Sequence, residues 1–228
     1  LFLVGLVDDL IHIKPYQKLI GQILGAACVV YYGLSLPWTG SVLVNMALAI
    51  FWLGVMAGFF WTYSANVNFA TLEMDGVTYA RVQSALNRNV RHAMFFGFFF
   101  GPPLLCALAL GMDWRAHRTL WWRSLLLAGL LYGLGIVVFT AQVNLPLNAY
   151  TESWNPLALP LDWALTRERW NAANLWRSVA SAAAFGLALA ALCARAAAQS
   201  SANSAAAASS SAATRRESER GPAACSAR

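Results

Sequence analysis

Five apolar blocks decide what this chain can become: residues 19–36, 42–63, 93–112, 120–143 and 172–194. At a rise of about 1.5 Å per residue each reaches across a hydrocarbon layer of about 30 Å, the first only just. No water in a bilayer satisfies backbone N–H and C=O groups, so each block must be a helix. With 59% of its residues apolar and 11% charged, the chain has too little polar surface to cover a water-soluble globule. The expected fold is all-α: a polytopic membrane bundle of about five transmembrane helices, multi-pass and partnered by the lipid bilayer.

The net charge of +6 comes from Arg and Lys scattered among short connections and the C-terminal tail. That pattern suits contact with anionic headgroups, and no nucleic-acid partner is expected. The longer connections, residues 64–92 and 144–171, fall on one side of the membrane and are rich in Asn, Arg and aromatic residues. Converging long connections are where a site is usually built. Residues 195–228 are dominated by Ala, Ser and Arg, too little to offset ordering entropy, so a disordered tail is the default and an Ala-driven helix the alternative. The apolar run 1–7 that stops at Asp8 reads as the last turns of a helix beginning upstream. Cys28, Cys106, Cys193 and Cys225 show no metal-ligand spacing, and His12, His92 and His117 are far apart in sequence. The sequence carries no signal for an oligomeric state.

At the N-terminus, Asp8 and Asp9 end an apolar run and are followed by Lys14, Pro15, Lys18 and Gln22. Paired carboxylates at a membrane surface cost desolvation energy unless a cation accompanies them. With the lysines they make a site for Mg²⁺ and a phosphorylated lipid headgroup. Residues 1–53, including Leu36-Pro37-Trp38-Thr39-Gly40 and Ile50-Phe51-Trp52-Leu53, resemble the polyprenyl-phosphate N-acetylhexosamine-1-phosphate transferases. The resemblance implies polyprenyl phosphate as a partner, Mg²⁺ at Asp8 and Asp9, lipid-phosphate contacts from Lys18 and Gln22, and a bacterial inner membrane. Beyond residue 53 the chain departs from that family: Leu72 stands where the first Asp of an Asp-x-x-Asp-Gly loop belongs, before Asp75-Gly76.

Residues 54–194 resemble a second family, a four-helix membrane domain that includes the fungal anthrone oxygenases. The matching pieces are the run from Met56 to Ser64, Gln83-Ser84-Ala85-Leu86-Asn87-Arg88, the run from Phe99 to Leu105, Asn144-Leu145-Pro146-Leu147-Asn148, and the run from Arg169 to Arg177. This resemblance implies oxygenation of an apolar phenolic small molecule with no cofactor. Such chemistry needs a base to form a carbanion and an apolar pocket that admits O₂. The chain then divides into 1–53, 54–194 and the tail 195–228, with a join near residue 53 that is either a gene fusion or an artefact of assembled fragments.

Arg177 points to the site. It lies inside the last apolar block, where an unpaired guanidinium costs at least about 2.5 kcal/mol at the centre of a span. Asn174 and Trp170 are three and seven residues before it, near one helical face. Asn144 and Asn148 join them if the last two helices are adjacent. We therefore expect a cluster of Asn144, Asn148, Trp170, Asn174 and Arg177, against the alternative that Arg177 snorkels to the headgroups. Three functions stay open: the oxygenase, a truncated or divergent sugar-phosphate transferase, and a non-catalytic membrane scaffold.

Overall fold

The computed structural model describes residues 41–219, with side chains described through 216. The chain divides into a unit Leu1–Val44 and a unit Asn45–Arg228, and the helical bundle is built by the second. Helix α1 covers Val42–Leu72 and widens into a π turn at Tyr63–Val67. Helix α2, Gly76–Asn89, is short. Helix α3, Ala93–Met112, leads through a 3₁₀ turn at Trp114–Ala116 into α4, Leu120–Glu152. Two π stretches interrupt α4, at Gly133–Val138 and Thr140–Asn144. Helix α5 is Trp163–Glu219. The described residues are 88% helical and contain no strand.

Helices α1, α3, α4 and α5 are long and apolar enough to cross a membrane, and they coincide with the last four apolar blocks. The first block, residues 19–36, lies outside the described residues. At most 28% of the most apolar window of any span is buried inside the protein. Outward faces carrying Phe51, Trp61, Leu127, Leu134 and Val179 therefore need lipid as their solvent.

Small residues set how closely the helices meet. Ala180, Ala184 and Ala188 are buried at four-residue spacing on α5, which packs along α4. Gly135 of α4 brings its backbone close to Ala180, the close approach that small side chains allow within membranes. On α3, Gly101 leaves a shallow seat for the Trp52 indole, whose Nε1 donates to the Gly97 carbonyl at 3.2 Å. A Cβ at Gly101 would collide with that ring. Gly101→Ala should therefore cost about 1–3 kcal/mol, read as a lowered unfolding midpoint in detergent. The same change in a Trp52→Ala background should cost little, and equal costs in both backgrounds would unseat the indole from this account.

The two connections expected as long loops are mostly helical. Residue Glu73 ends α1, and Asp75 starts α2 by accepting hydrogen bonds from the backbone N–H groups of Val77 and Thr78. On the second connection, α4 continues to Glu152, past the Asn144-Leu145-Pro146-Leu147-Asn148 motif that reads as a helix end. Pro146 has no N–H to give, and the ladder widens into a π turn immediately before it instead of stopping.

Two arginines on α5 are spaced as the two faces of a bilayer would be. Arg167 donates to the carbonyls of Thr71, Leu72 and Met74 at the end of α1, and its guanidinium lies 4.9 Å from the Trp163 ring. Arg195 pairs with Asp113 at 3.1 Å and stacks 4.4 Å over Trp121. They are 28 residues apart on α5, about 42 Å of helix, which matches a bilayer with its headgroups. Beyond Arg195 the helix runs on to Glu219 with its described side chains exposed. Its many Ala residues, the best helix formers, carry the helix through this segment, with the Ser201, Ser209 and Thr214 hydroxyls donating back to carbonyls of the preceding turn; residues 220–228 of the tail lie outside the described residues.

Candidate functional site

The site begins with a helical irregularity. Tyr132, Ile136, Thr140, Asn144 and Asn148 recur every four residues on α4. In a regular α-helix each four-residue step overshoots a full turn by about 40°, so residues this far apart drift to different faces. The wide turns at Gly133–Val138 and Thr140–Asn144 rotate the other way and cancel the drift. Tyr132, Ile136 and Asn144 are consequently all buried, with Thr140 and Asn148 half-buried. The Trp176 indole of α5 donates to the Gly135 carbonyl in the first of these stretches, at 3.0 Å.

Opposite them, α5 and α1 supply a connected polar network. Arg177, 8% exposed, donates through Nη2 to Asn174 Oδ1 at 2.7 Å. The Asn174 amide donates to Ser64 Oγ at 3.0 Å, and the Ser64 and Ser178 hydroxyls lie 2.7 Å apart. Ser178 in turn reaches the Phe60 carbonyl at 2.7 Å. Ser64 sits in the π turn of α1. The guanidinium lies 4.8 Å from the Phe60 ring centre and 5.8 Å from that of Trp170. Arg177 is ten residues past Arg167, about 15 Å of helix inside the membrane face. Enclosure by ring faces and one amide offsets part of the desolvation cost there.

Towards the mouth, Trp170 Nε1 donates to Asn148 Oδ1 at 2.7 Å. The Asn148 carbonyl accepts from Thr151 Oγ1 at 3.0 Å, Thr151 accepts from the Asn87 amide at 3.4 Å, and Asn87 accepts from Gln83 at 3.0 Å. Gln83 and Asn87 are four apart on α2 and both buried, so α2 closes over this end of α4. Beside them burial raises the Tyr79 phenol above its usual range, with Arg167 partly opposing.

Of the residues singled out in the sequence, Trp170 and Asn148 bond each other, Asn174 and Arg177 bond each other, and Arg177 faces Trp170. Arg177 does not snorkel. Asn144 is buried at 1% exposure on the adjoining face of α4, but its amide has no hydrogen-bond partner among protein groups. The same holds for Tyr132 Oη, Thr140 Oγ1 and Arg177 Nε, buried atoms of a kind that water or a ligand usually satisfies. Tyr132, Thr140 and Ser178 were not singled out by the sequence; in apolar blocks they look like ordinary packing residues, and Tyr63 and Ser64 were visible only inside a run quoted for a resemblance. Gln83 and Asn87 were visible only as part of a resemblance. Asp8, Asp9, Lys18 and Gln22 lie outside the described residues.

The chemistry available is that of one guanidinium, amides and hydroxyls between aromatic rings. It can stabilise an anion delocalised over a flat apolar molecule. Among the described residues no three His, Cys, Asp or Glu side chains gather as a metal site would require. The Asp75 carboxylate takes hydrogen bonds from Thr78 and Val77, which hold its pKa below the usual carboxylate value. It serves as the cap of α2.

Comparison with known families gives two matches. Residues 91–187 match the anthrone oxygenase family, and residues 1–86 match glycosyl transferase family 4. No curated protein and no solved structure matches the chain. The two ranges meet between residues 86 and 91, farther along than the join near 53 read from the residues. The polar network crosses that meeting point, with Phe60, Tyr63 and Ser64 on one side and Asn148, Trp170, Asn174 and Arg177 on the other. The chain is thus a multi-pass membrane protein that carries an anthrone oxygenase-like domain behind a glycosyl transferase family 4 segment.

Proposed function

We propose that the bundle is a cofactor-independent oxygenase for an apolar phenolic substrate, acting at Arg177. The observation that supports this is a buried guanidinium faced by the Phe60 and Trp170 rings, about 15 Å along α5 from Arg167. A cation fixed in low dielectric and faced by rings favours ionisation of a flat phenol or its keto tautomer, since the anion gains most where water is scarce. The substrate gives up its proton to water at the membrane face as it ionises, its carbanion bonds to O₂ as a carbon-bound peroxide beside Arg177, and that peroxide takes back one proton to become the hydroperoxide. Loss of water then leaves a carbonyl. For anthrone the balance is one anthrone plus one O₂ giving one anthraquinone plus one water. Arg177 and the unpartnered Asn144 and Thr140 groups hold the oxygens, Asn174 and Ser64 position Arg177, and the rings exclude water. Localisation in a bacterial inner membrane belongs to the same proposal.

The test is oxygen uptake by the full chain in lipid nanodiscs with anthrone. Uptake should exceed that of protein-free discs and saturate with anthrone, with one quinone per O₂. Uptake equal to that of empty discs would remove the proposal. A second reading, Mg²⁺-dependent transfer of a sugar phosphate to polyprenyl phosphate through Asp8, Asp9, Lys18 and Gln22, is favoured by the match over residues 1–86. It is the weaker of the two, because the Asp75 carboxylate of its Asp75-Gly76 loop is engaged as a helix cap. Lipid-linked sugar formed by the wild type and lost in Asp8→Asn would reverse that ranking.

A further inference from the structure

A groove of about 420 Å³ lies on the outer face of the bundle between α1 and α5. Trp61, Phe69, Leu72 and Leu175 form its walls, each between 48% and 64% exposed, so lipid is what reaches it. Ala65 and Ala172 leave room between those walls. Its position is near the membrane face, since α1 ends at Leu72 where Arg167 caps it. Two polar side chains interrupt the apolar lining. Ser64 borders the groove and also accepts from Asn174, the residue that holds Arg177. Asn68 is 8% exposed; its Nδ2 reaches the Asn171 carbonyl at only 3.5 Å, and its Oδ1 has no donor.

An acceptor left without a donor beside an apolar channel is costly, and it selects what settles there. An acyl chain fills the volume but leaves Oδ1 as it was. A flat apolar molecule with one hydroxyl does both, and such amphipathic rings collect at this depth of a bilayer with their hydroxyl towards the headgroups. We propose that this groove is a docking site for a hydroxyl-bearing apolar molecule drawn sideways out of the bilayer, its O–H donating to Asn68 Oδ1 after a small turn of the loosely held amide. The π turn at Tyr63–Val67 separates the site from the Arg177 network by the single residue Ser64. This deepens the oxygenase reading by giving the side from which its substrate arrives, but binding here does not depend on that chemistry.

The probes are 1-naphthol and 1-methoxynaphthalene, equal in ring size and differing in the donor. Each is equilibrated with the full chain in nanodiscs against protein-free discs of the same lipid. Wild type should bind naphthol at least about fivefold more tightly than the ether, the worth of one hydrogen bond. Asn68→Leu should erase that preference, and Ala172→Phe, at an exposed position, should fill the groove and weaken both. Equal binding of the two probes by wild type, or a preference that survives in Asn68→Leu, would overturn the proposal, as would undiminished naphthol binding by Ala172→Phe. Naphthol binding without anthrone oxidation would uphold this site and sink the oxygenase; oxidation unchanged in an Ala172→Phe variant that has lost naphthol binding would uphold both the site and the oxygenase but overturn the groove as the substrate's route.

Discussion

Arg177→Leu should lower anthrone oxidation by about 10²-fold or more, mostly in kcat, because the lost cation acts on charge that develops during the reaction. The variant should still fold. Leucine packs against Phe60 and Trp170, and exchanging a buried charge for an apolar side chain is often neutral or stabilising. The loss would then be chemical, and an unchanged unfolding midpoint in detergent would show it. Arg177→Lys tests the fork rather than the charge. An ammonium cannot reach Asn174 and present a second planar donor to substrate at the same time, so activity should stay at least about tenfold down. Wild-type rates in Arg177→Leu would mean that the guanidinium serves packing alone.

Arg167→Ala should lower stability by about 2 kcal/mol, since one guanidinium satisfies carbonyls of Thr71, Leu72 and Met74 at the end of α1. Its stacking on Trp163 and Tyr79 is lost as well. The expected signature is a lowered unfolding midpoint, with faster amide exchange concentrated at residues 68–76. Arg169→Ala, two residues away and exposed, should leave both unchanged. If the two variants behave alike, the arginine contributes only charge at the interface.

The spans were legible in the sequence because the bilayer makes apolar length almost the only variable that matters. Trp170, Asn174 and Arg177 were legible for a related reason: a guanidinium in an apolar block must find partners, and helical spacing limits the choice. Asn148 followed from adjacency of α4 and α5. What stayed hidden was tied to the π turns. Counting at 3.6 residues per turn, Tyr132 and Thr140 drift off the face that holds Asn148, and only the widened turns return them to it. Ser64 is concealed in the same way at the π turn of α1. Helix α2 was missed because its polar residues Gln83 and Asn87 are buried against another polar residue, Thr151, and so gave no apolar stripe. In residues 195–219 low complexity argued for disorder, whereas high Ala content sustains a helix that touches little else.

The measurement closest to the central claim is the fate of labelled oxygen. The full chain in nanodiscs is given anthrone under ¹⁸O₂ for a time short enough that protein-free discs convert little. The expected product is anthraquinone with one ¹⁸O, in the new carbonyl, formed at a rate that saturates with anthrone and collapses in Arg177→Leu. Quinone formed no faster than in empty discs, or at the same rate in Arg177→Leu, would contradict oxygenation at this guanidinium.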